Sequence, residues 1–219
     1  VAQPSITFFQ IAMFHLYKSF GVNPNYVIGH SAGEQASFYA AGTLSLEDTI
    51  KISYYRSIYQ QKTVNSGNML VVNQNIDTID DYLLNNPKLE LAVINSNNSY
   101  VLAGKTKDID DFKEKLERDN GIRTIKIRGN CAFHSSGQDS IKNDVLNSTK
   151  SIKFINPKNI ELISTVTGFI FDSEDYTKDY WWKNIREQVK FNEGLEQCVD
   201  SDIFIEIGPH SVLSSSIEQ

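Results

Sequence analysis

The chain has 219 residues, 40% hydrophobic and 22% charged, with a formal net charge of −6. That length buries a sizeable core, as one domain or one domain carrying an insertion. The acidic balance, without a basic run or interleaved aromatics, argues against a nucleic-acid binder. No apolar stretch approaches the ~20 residues of a membrane span, and the start, Val1-Ala2-Gln3-Pro4, shows no charged or apolar leader. Cys131 and Cys198 are too few and too far apart for a disulfide framework or a zinc site, which fits a reducing, cytoplasmic setting.

Residues 4–20 read as a helix. Pro4 suits a first turn, and Phe8, Ile11, Ala12, Leu16 and Phe20 recur at helical spacing until Gly21 and Pro24 end it. The apolar run Tyr26-Val27-Ile28 opens a strand over 26–29. Gly29-His30-Ser31-Ala32-Gly33-Glu34 follows, and then a helical stretch from Gln35 to Ala41. Strand, sharp Gly-x-Ser-x-Gly turn, helix is the context that holds a serine hydroxyl exposed on a strained elbow. The two glycines are expected to relieve Cβ clashes there. The N–H of Ala32 faces the incipient helix, where the macrodipole favours negative charge, and so forms half of an oxyanion hole. The pattern points to acyl transfer through an acyl-serine at Ser31. A bare motif of this kind arises often by chance, so the case depends on partners elsewhere in the chain.

Gly42 breaks the helical pattern, and Ser45-Leu46-Glu47-Asp48 supplies a cap with an acid three positions on. The helix it starts runs to about Gln61, with Thr49, Ser53, Arg56 and Gln60 on one face. Spacing alone favours a surface arginine or a structural ion pair at Arg56. The alternative is a clamp for a substrate carboxylate, which a guanidinium fork matches in bidentate geometry.

The middle of the chain changes rhythm. A strand at 69–72 precedes a helix over 76–85, with Ile76, Ile79 and Leu83 on one face. Strands over 89–94 and 100–103 flank the turn-prone Asn95-Ser96-Asn97-Asn98-Ser99. An amphipathic helix at 107–118 points Ile109, Phe112 and Leu116 inward, and a strand at 122–127 follows. This β-α-β-β-α-β order is the split ferredoxin-like unit. Beyond it, 160–166 and 203–207 read as parallel strands covered on both faces, and 178–189 and 192–199 as helices. The expected fold is α/β, with a parallel-sheet, hydrolase-like large subdomain at 1–66 and 131–219. A ferredoxin-like small subdomain at 67–130 interrupts it.

A nucleophilic serine needs a base near neutral pKa, and four histidines exist: His15, His30, His134 and His210. His15 falls on the first amphipathic helix, His30 points away from the serine at the strand end, and His210 sits in a Gly-Pro-His turn. His134 lies in Cys131-Ala132-Phe133-His134-Ser135 at the subdomain junction, where a cleft would open, and is the best candidate by elimination.

Motifs along almost the whole chain then converge. They are Gln3-Pro4-Ser5, Gly29 through Glu34, Ala41 through Asp48, Arg56, Gly67-Asn68-Met69, Ala132-Phe133-His134-Ser135, Val166-Thr167-Gly168, Tyr180-Trp181, Arg186 through Phe191, and Phe204 through His210. As a set they resemble the acyltransferase domain of polyketide and fatty-acid synthases, the malonyl-CoA:acyl-carrier-protein transacylase family. The resemblance implies Ser31 as nucleophile and His134 as general base, oriented by a main-chain carbonyl from the 189–191 segment rather than by an acid. It implies Arg56 as the binder of a malonyl-type carboxylate, with Phe133 and His30 also in the substrate-binding set. Ala132-Phe133-His134 resembles the malonyl-selecting pattern, since the phenyl ring narrows the space for an α-methyl. The resemblance further implies malonyl-CoA as substrate, phosphopantetheine on an acyl carrier protein as acceptor, and a ketosynthase among neighbouring synthase domains. No metal and no resident cofactor is expected.

Two departures accompany the resemblance. The family's Gly-Gln-Gly loop, which supplies the second oxyanion N–H, belongs upstream of Gln3, and loss of one such donor costs ~10²–10³ in rate. Gln138 stands where a methionine is common. The rival readings are an incomplete, non-catalytic synthase fragment and a serine acyl hydrolase, which would need an acid such as Asp200 or Asp202.

Overall fold

A computed structural model describes residues 2–74, 79–157, 159–172, 174 and 176–219. Helix α1 (Ala2–Ser19) leads into strand β1 (Tyr26–Ile28), a short 3-10 turn at Ser31–Gly33, α2 (Glu34–Ala40) and α3 (Leu46–Lys62). A second group follows: β2 (Asn68–Val72), α4 (Ile79–Leu84), β3 (Glu90–Ser96), β4 (Ser99–Gly104), α5 (Thr106–Asn120) and β5 (Thr124–Lys126). The chain then forms a 3-10 stretch at Ser136–Ile141, α6 (Lys142–Thr149), β6 (Glu161–Ser164) and β7 (Phe169–Ile170). It closes with α7 (Tyr180–Arg186), β8 (Val189–Lys190), α8 (Phe191–Leu195) and α9 (Ser214–Ile217).

Among the described residues these strands make two sheets, ordered β1-β6-β7 and β5-β2-β4-β3-β8. The first pairs β1 parallel to β6, with Val27 opposite Leu162. A buried aromatic cluster of Phe38, Phe171, Tyr180 and Trp181 packs beside it with Ile52 and Leu162. In the second sheet β5, β2, β4 and β3 are antiparallel neighbours, the interleaved order of a ferredoxin-like unit. Leu70, Tyr100, Leu102, Ile109, Phe112 and Leu116 form its dry core. β8 then adds parallel to β3, with Val93 opposite Val189. A third core of Met69, Val93, Ala132, Val189 and Phe191 joins the two parts of the molecule. Among the described residues no helix is long and apolar enough to cross a membrane.

Several expectations are corrected. Residues 203–207 are not a strand: Ile203 is 81% exposed, and Glu206 accepts hydrogen bonds from the Val212 and Leu213 N–H groups. That carboxylate folds the segment into a local loop instead of a ladder. The helix expected over 178–189 stops at Arg186, because 189–190 is drawn into β8. The apolar stripe of α1 is largely exposed at Phe8, Leu16 and Phe20, while Thr7 and Ile11 are its buried residues. Thr7 meets Gln35 and Ser53, so this face of α1 is read by hydrogen bonds rather than by hydrophobicity. Of the helix expected over 76–85, Ile76 and its neighbours up to 78 lie outside the described residues.

Candidate active site

The elbow follows β1. Ser31 adopts φ +54°, a left-handed conformation that costs a non-glycine residue roughly 1–3 kcal/mol and must be held by its surroundings. Gly29 is needed because a Cβ there would stand 2.4 Å from the Glu34 backbone nitrogen. Gly33 is different. Its φ of −67° is ordinary, and a Cβ would find its nearest neighbour, Gln10 Nε2, at 3.7 Å. One glycine of the motif, not two, answers a steric demand.

His134 also sits at positive φ, +53°, at the turn after Phe133. This geometry brings its Nε2 to 2.7 Å from Ser31 Oγ across 103 positions of sequence. Its Nδ1 lies 2.9 Å from the main-chain carbonyl of Glu187. A carbonyl only accepts, so Nδ1 carries the proton and Nε2 presents its lone pair to the serine hydroxyl. Burial first, and the Arg56 cation second, push the His134 pKa down from 6.5 to about 3, against the raising effect of the Glu187 bond. The imidazole is therefore neutral at physiological pH, the state a general base requires. The orienting carbonyl is Glu187, not a member of the 189–191 segment. Glu187 caps α7 with extended backbone (ψ 165°), which frees its carbonyl, whereas Val189 and Lys190 are committed to β8. Neither Asp200 nor Asp202 partners the imidazole.

Arg56 is buried on α3, and its Nη2 donates to the same Ser31 Oγ at 3.0 Å. Nη1 donates to Gln3 Oε1 at 2.7 Å and Nε to Asn184 Oδ1 at 3.3 Å. Burial lowers its pKa to about 10, partly offset by the charge of Glu34, so it stays a cation at neutral pH. Among the described residues no carboxylate forms an ion pair with it. A buried guanidinium without a carboxylate contact is costly unless an anion arrives, and it stands beside Ser31.

Glu34, the last residue of the elbow motif, is fully buried and anchors this wall. Oε1 faces the Thr165 N–H at 2.5 Å and the Thr165 hydroxyl at 3.0 Å; Oε2 accepts from Tyr180 at 3.0 Å and from Asn184 Nδ2 at 2.9 Å. Burial outweighs these bonds and raises its pKa to about 6. Beside His134, Gln138 Nε2 donates to the Ala132 carbonyl, and its Oε1 accepts from Gln60 and Thr63. Gln60 in turn accepts from Gln3, so a chain of side-chain amides links Arg56 to the loop that carries His134.

The structure thus brings Ser31, His134 and Arg56 together on one oxygen atom. Ala32 is the partly exposed middle residue of the 3-10 turn. Phe133 is half-buried against the joining core. His30 turns to Asn95 of β3 at 2.9 Å and packs on Phe191, and burial lowers its pKa. It links the elbow to the second sheet and does not bond Ser31. His15 is exposed and bonded to Tyr39, and His210 is exposed. Sequence reasoning gave no role to Glu34, Asn184, Gln3 or the Glu187 carbonyl. A polar residue three positions past an elbow serine, in a helix with Phe38 on its core face, was the one signal available for Glu34.

Comparison with known proteins bears on the family and the fold. A family model described as acyl transferase domain matches residues 1–219. The chain is 36% identical over 230 residues to probable polyketide synthase 2 of Dictyostelium discoideum, covering all of this chain and 8% of that protein. It is 35% identical over 236 residues to the highly reducing polyketide synthase ltbA of Aspergillus luteorubrus, covering all of this chain and 7% of that one. The chain therefore spans less than a tenth of the length of these curated relatives. Among solved structures it superposes on the acyltransferase domain from module 8 of the salinomycin polyketide synthase with a TM-score of 0.94 and 29% identity. That match covers all of this chain and 52% of the other. A malonyl CoA-acyl carrier protein transacylase from Clostridium perfringens shares the fold, with a TM-score of 0.89, 24% identity, and coverage of 99% and 71%. Matched from end to end by that family model and folded as those domains fold, the chain belongs to the acyl transferase domain family, of the polyketide synthase type.

Proposed function

We propose that the chain moves a malonyl-type extender unit from coenzyme A to the phosphopantetheine thiol of an acyl carrier protein through an acyl-Ser31 intermediate. The observation that carries this reading is the double engagement of Ser31 Oγ, by His134 Nε2 at 2.7 Å and Arg56 Nη2 at 3.0 Å. Neutral His134 takes the serine proton as Oγ attacks the thioester carbonyl, and returns it to the departing coenzyme A sulfur. The Ala32 N–H, at the positive end of the elbow helix, offers one donor to the oxyanion. The acyl-serine is then attacked by the carrier thiol, whose proton passes through the same Nε2. Arg56 binds the free carboxylate of the extender unit and so sets the carbonyl at attacking distance. Phe133 narrows the space beside the α-carbon, and His30 braces the elbow against the second sheet. In this reading 67–130 is the small subdomain over the cleft, and a ketosynthase and other synthase domains are the working partners in the cytoplasm.

Incubation with malonyl-CoA followed by peptide mass analysis tests the proposal. A malonyl adduct on the Ser31 peptide, transferable to a carrier protein and absent from Ser31→Ala, is the expected result. No adduct, or release of free malonate at the rate of acylation whether or not carrier protein is present, would overturn it.

A further inference from the structure

We infer that Glu34 is a positioning residue for acyl-group choice: through the side-chain amide of Asn184 it fixes the direction in which Arg56 presents its guanidinium. The inference rests on the reading of Arg56 as a carboxylate binder. Asn184 is buried and makes three directed contacts. Nδ2 donates to Glu34 Oε2 at 2.9 Å and to the Ser31 carbonyl at 3.1 Å, and Oδ1 accepts from Arg56 Nε at 3.3 Å. An amide turned over would set its oxygen against a carboxylate and a carbonyl, and its N–H₂ against the Arg56 Nε–H. One orientation alone satisfies all three neighbours, and it is the one in which Nη2 reaches Ser31 Oγ.

The geometry also explains why position 34 carries an acid rather than its amide. Both carboxylate oxygens face donors: the Thr165 N–H on one, the Asn184 Nδ2 and Tyr180 hydroxyl on the other. Glutamine would have to aim its own N–H₂ at one of these. The Thr165 N–H is main chain and cannot turn away, so the glutamine N–H₂ would face Asn184. If the Asn184 amide flips to accept from it, Arg56 Nε loses its acceptor and the Ser31 carbonyl loses its donor; if it does not, two N–H₂ groups face each other. A neutral, near-isosteric change in the second layer of the site is thus expected to disorient a cation that it never touches.

Acylation kinetics with malonyl-CoA and acetyl-CoA on the wild-type chain, Glu34→Gln and Asn184→Ala test this. The ratio of malonyl to acetyl kcat/KM is expected to fall about tenfold or more in both variants, mainly through a higher KM for malonyl-CoA. A neutral fluorophosphonate should still label Ser31 in both. Equal losses with malonyl, acetyl and fluorophosphonate would reduce Glu34 to a structural role. An unchanged ratio, or a lower malonyl KM from removing a negative charge near the site, would overturn the inference while leaving the Arg56 reading intact. A wild-type chain that does not prefer malonyl would overturn the Arg56 reading and this inference with it. Should Glu34→Gln fail to fold, Asn184→Ala interrupts the same relay with the carboxylate and its other donors in place, and its ratio decides.

Discussion

On the elbow side of the site, Ser31 and Arg56 are held by a hydrogen-bond net that ends in one fully buried carboxylate, Glu34. On the histidine side, neutral groups do the holding: the Glu187 carbonyl on the ring and the Gln138 amide on the loop beneath it. In the proposed function the contrast follows from what each wall must present. A buried carboxylate beside the imidazole would raise its pKa and keep it protonated, whereas a carbonyl orients the ring and leaves it neutral. The elbow wall must instead keep a cation in place without neutralising it. A carboxylate one side chain removed from Arg56 supplies direction and some compensating charge, yet leaves the guanidinium edge open to an incoming anion.

Disabling the chemistry shared by both walls gives the largest effect. Ser31→Ala and His134→Ala are each expected to cut acyl transfer by about 10⁴–10⁶-fold, and the double variant should be little worse, as residues acting as a unit are strongly non-additive. Single-turnover acylation of the two single variants and the double variant measures this. On the elbow wall alone, Arg56→Ala removes a charge-assisted contact worth about 1.5–3 kcal/mol, so malonyl preference over acetyl should fall roughly 10–100-fold. Competition between the two thioesters reads that ratio, and an unchanged ratio would take Arg56 out of substrate binding.

On the histidine wall alone, Gln138→Ala takes the acceptor from Gln60 Nε2, at a cost of about 1–3 kcal/mol for a buried group left unpaired, while the Ala132 carbonyl keeps the Ser135 hydroxyl and the Thr63 hydroxyl keeps the Gln60 carbonyl. Urea unfolding should register that loss, while malonyl-to-acetyl preference stays as it was. A shift in preference instead would mean that the amide chain from Gln138 reaches the guanidinium of Arg56.

The smallest effect is in the pH dependence. The folded-state pKa of His134 is depressed to about 3, so its contribution to stability is complete above 6.5 and drains away as pH falls toward 3. Glu34 runs the other way: its folded-state pKa is raised to about 6, so its contribution is greatest below 4.5 and is lost as pH rises through 6. Between 4.5 and 6 the Glu34 slope opposes that of His134 and of His30, whose pKa burial also lowers, so unfolding free energy should fall less steeply on acidification there than below 4.5. His134→Gln should remove its share of the opposing slope and leave that of buried His30, so stability should fall less, or rise, on acidification through that window. The acylation rate of the wild-type chain should show no break near 6.5. A break there would place the imidazole in contact with water.

Local pattern alone made much of this molecule legible. The Gly-x-Ser-x-Gly elbow was readable because a strand, a turn and a helix each leave a short-range signature. The Ser45 cap is seen as its hydroxyl accepting from the Asp48 N–H at 3.0 Å. The ferredoxin-like order emerged from alternating periods of two and 3.6 residues. Ile203 to Ile207 misled for the same reason: β-branched residues signal a strand wherever they occur, but a ladder also needs a neighbour, and here Glu206 closes a loop on itself. Spacing could not decide whether Arg56 was buried beside the serine or exposed on the helix surface, since both lie on a helix face. The Glu187 carbonyl was invisible because every residue has one, and what makes this one special is the helix end that frees it. Glu34 and Asn184 stand 150 positions apart in the sequence and 2.9 Å apart in space. The sequence by itself determined most of the elements, those with a local periodic signature, and the kinds of groups available. Tertiary structure alone decided which donor meets which acceptor, because hydrogen-bond direction and burial are properties of the folded arrangement and leave no periodic trace along the chain.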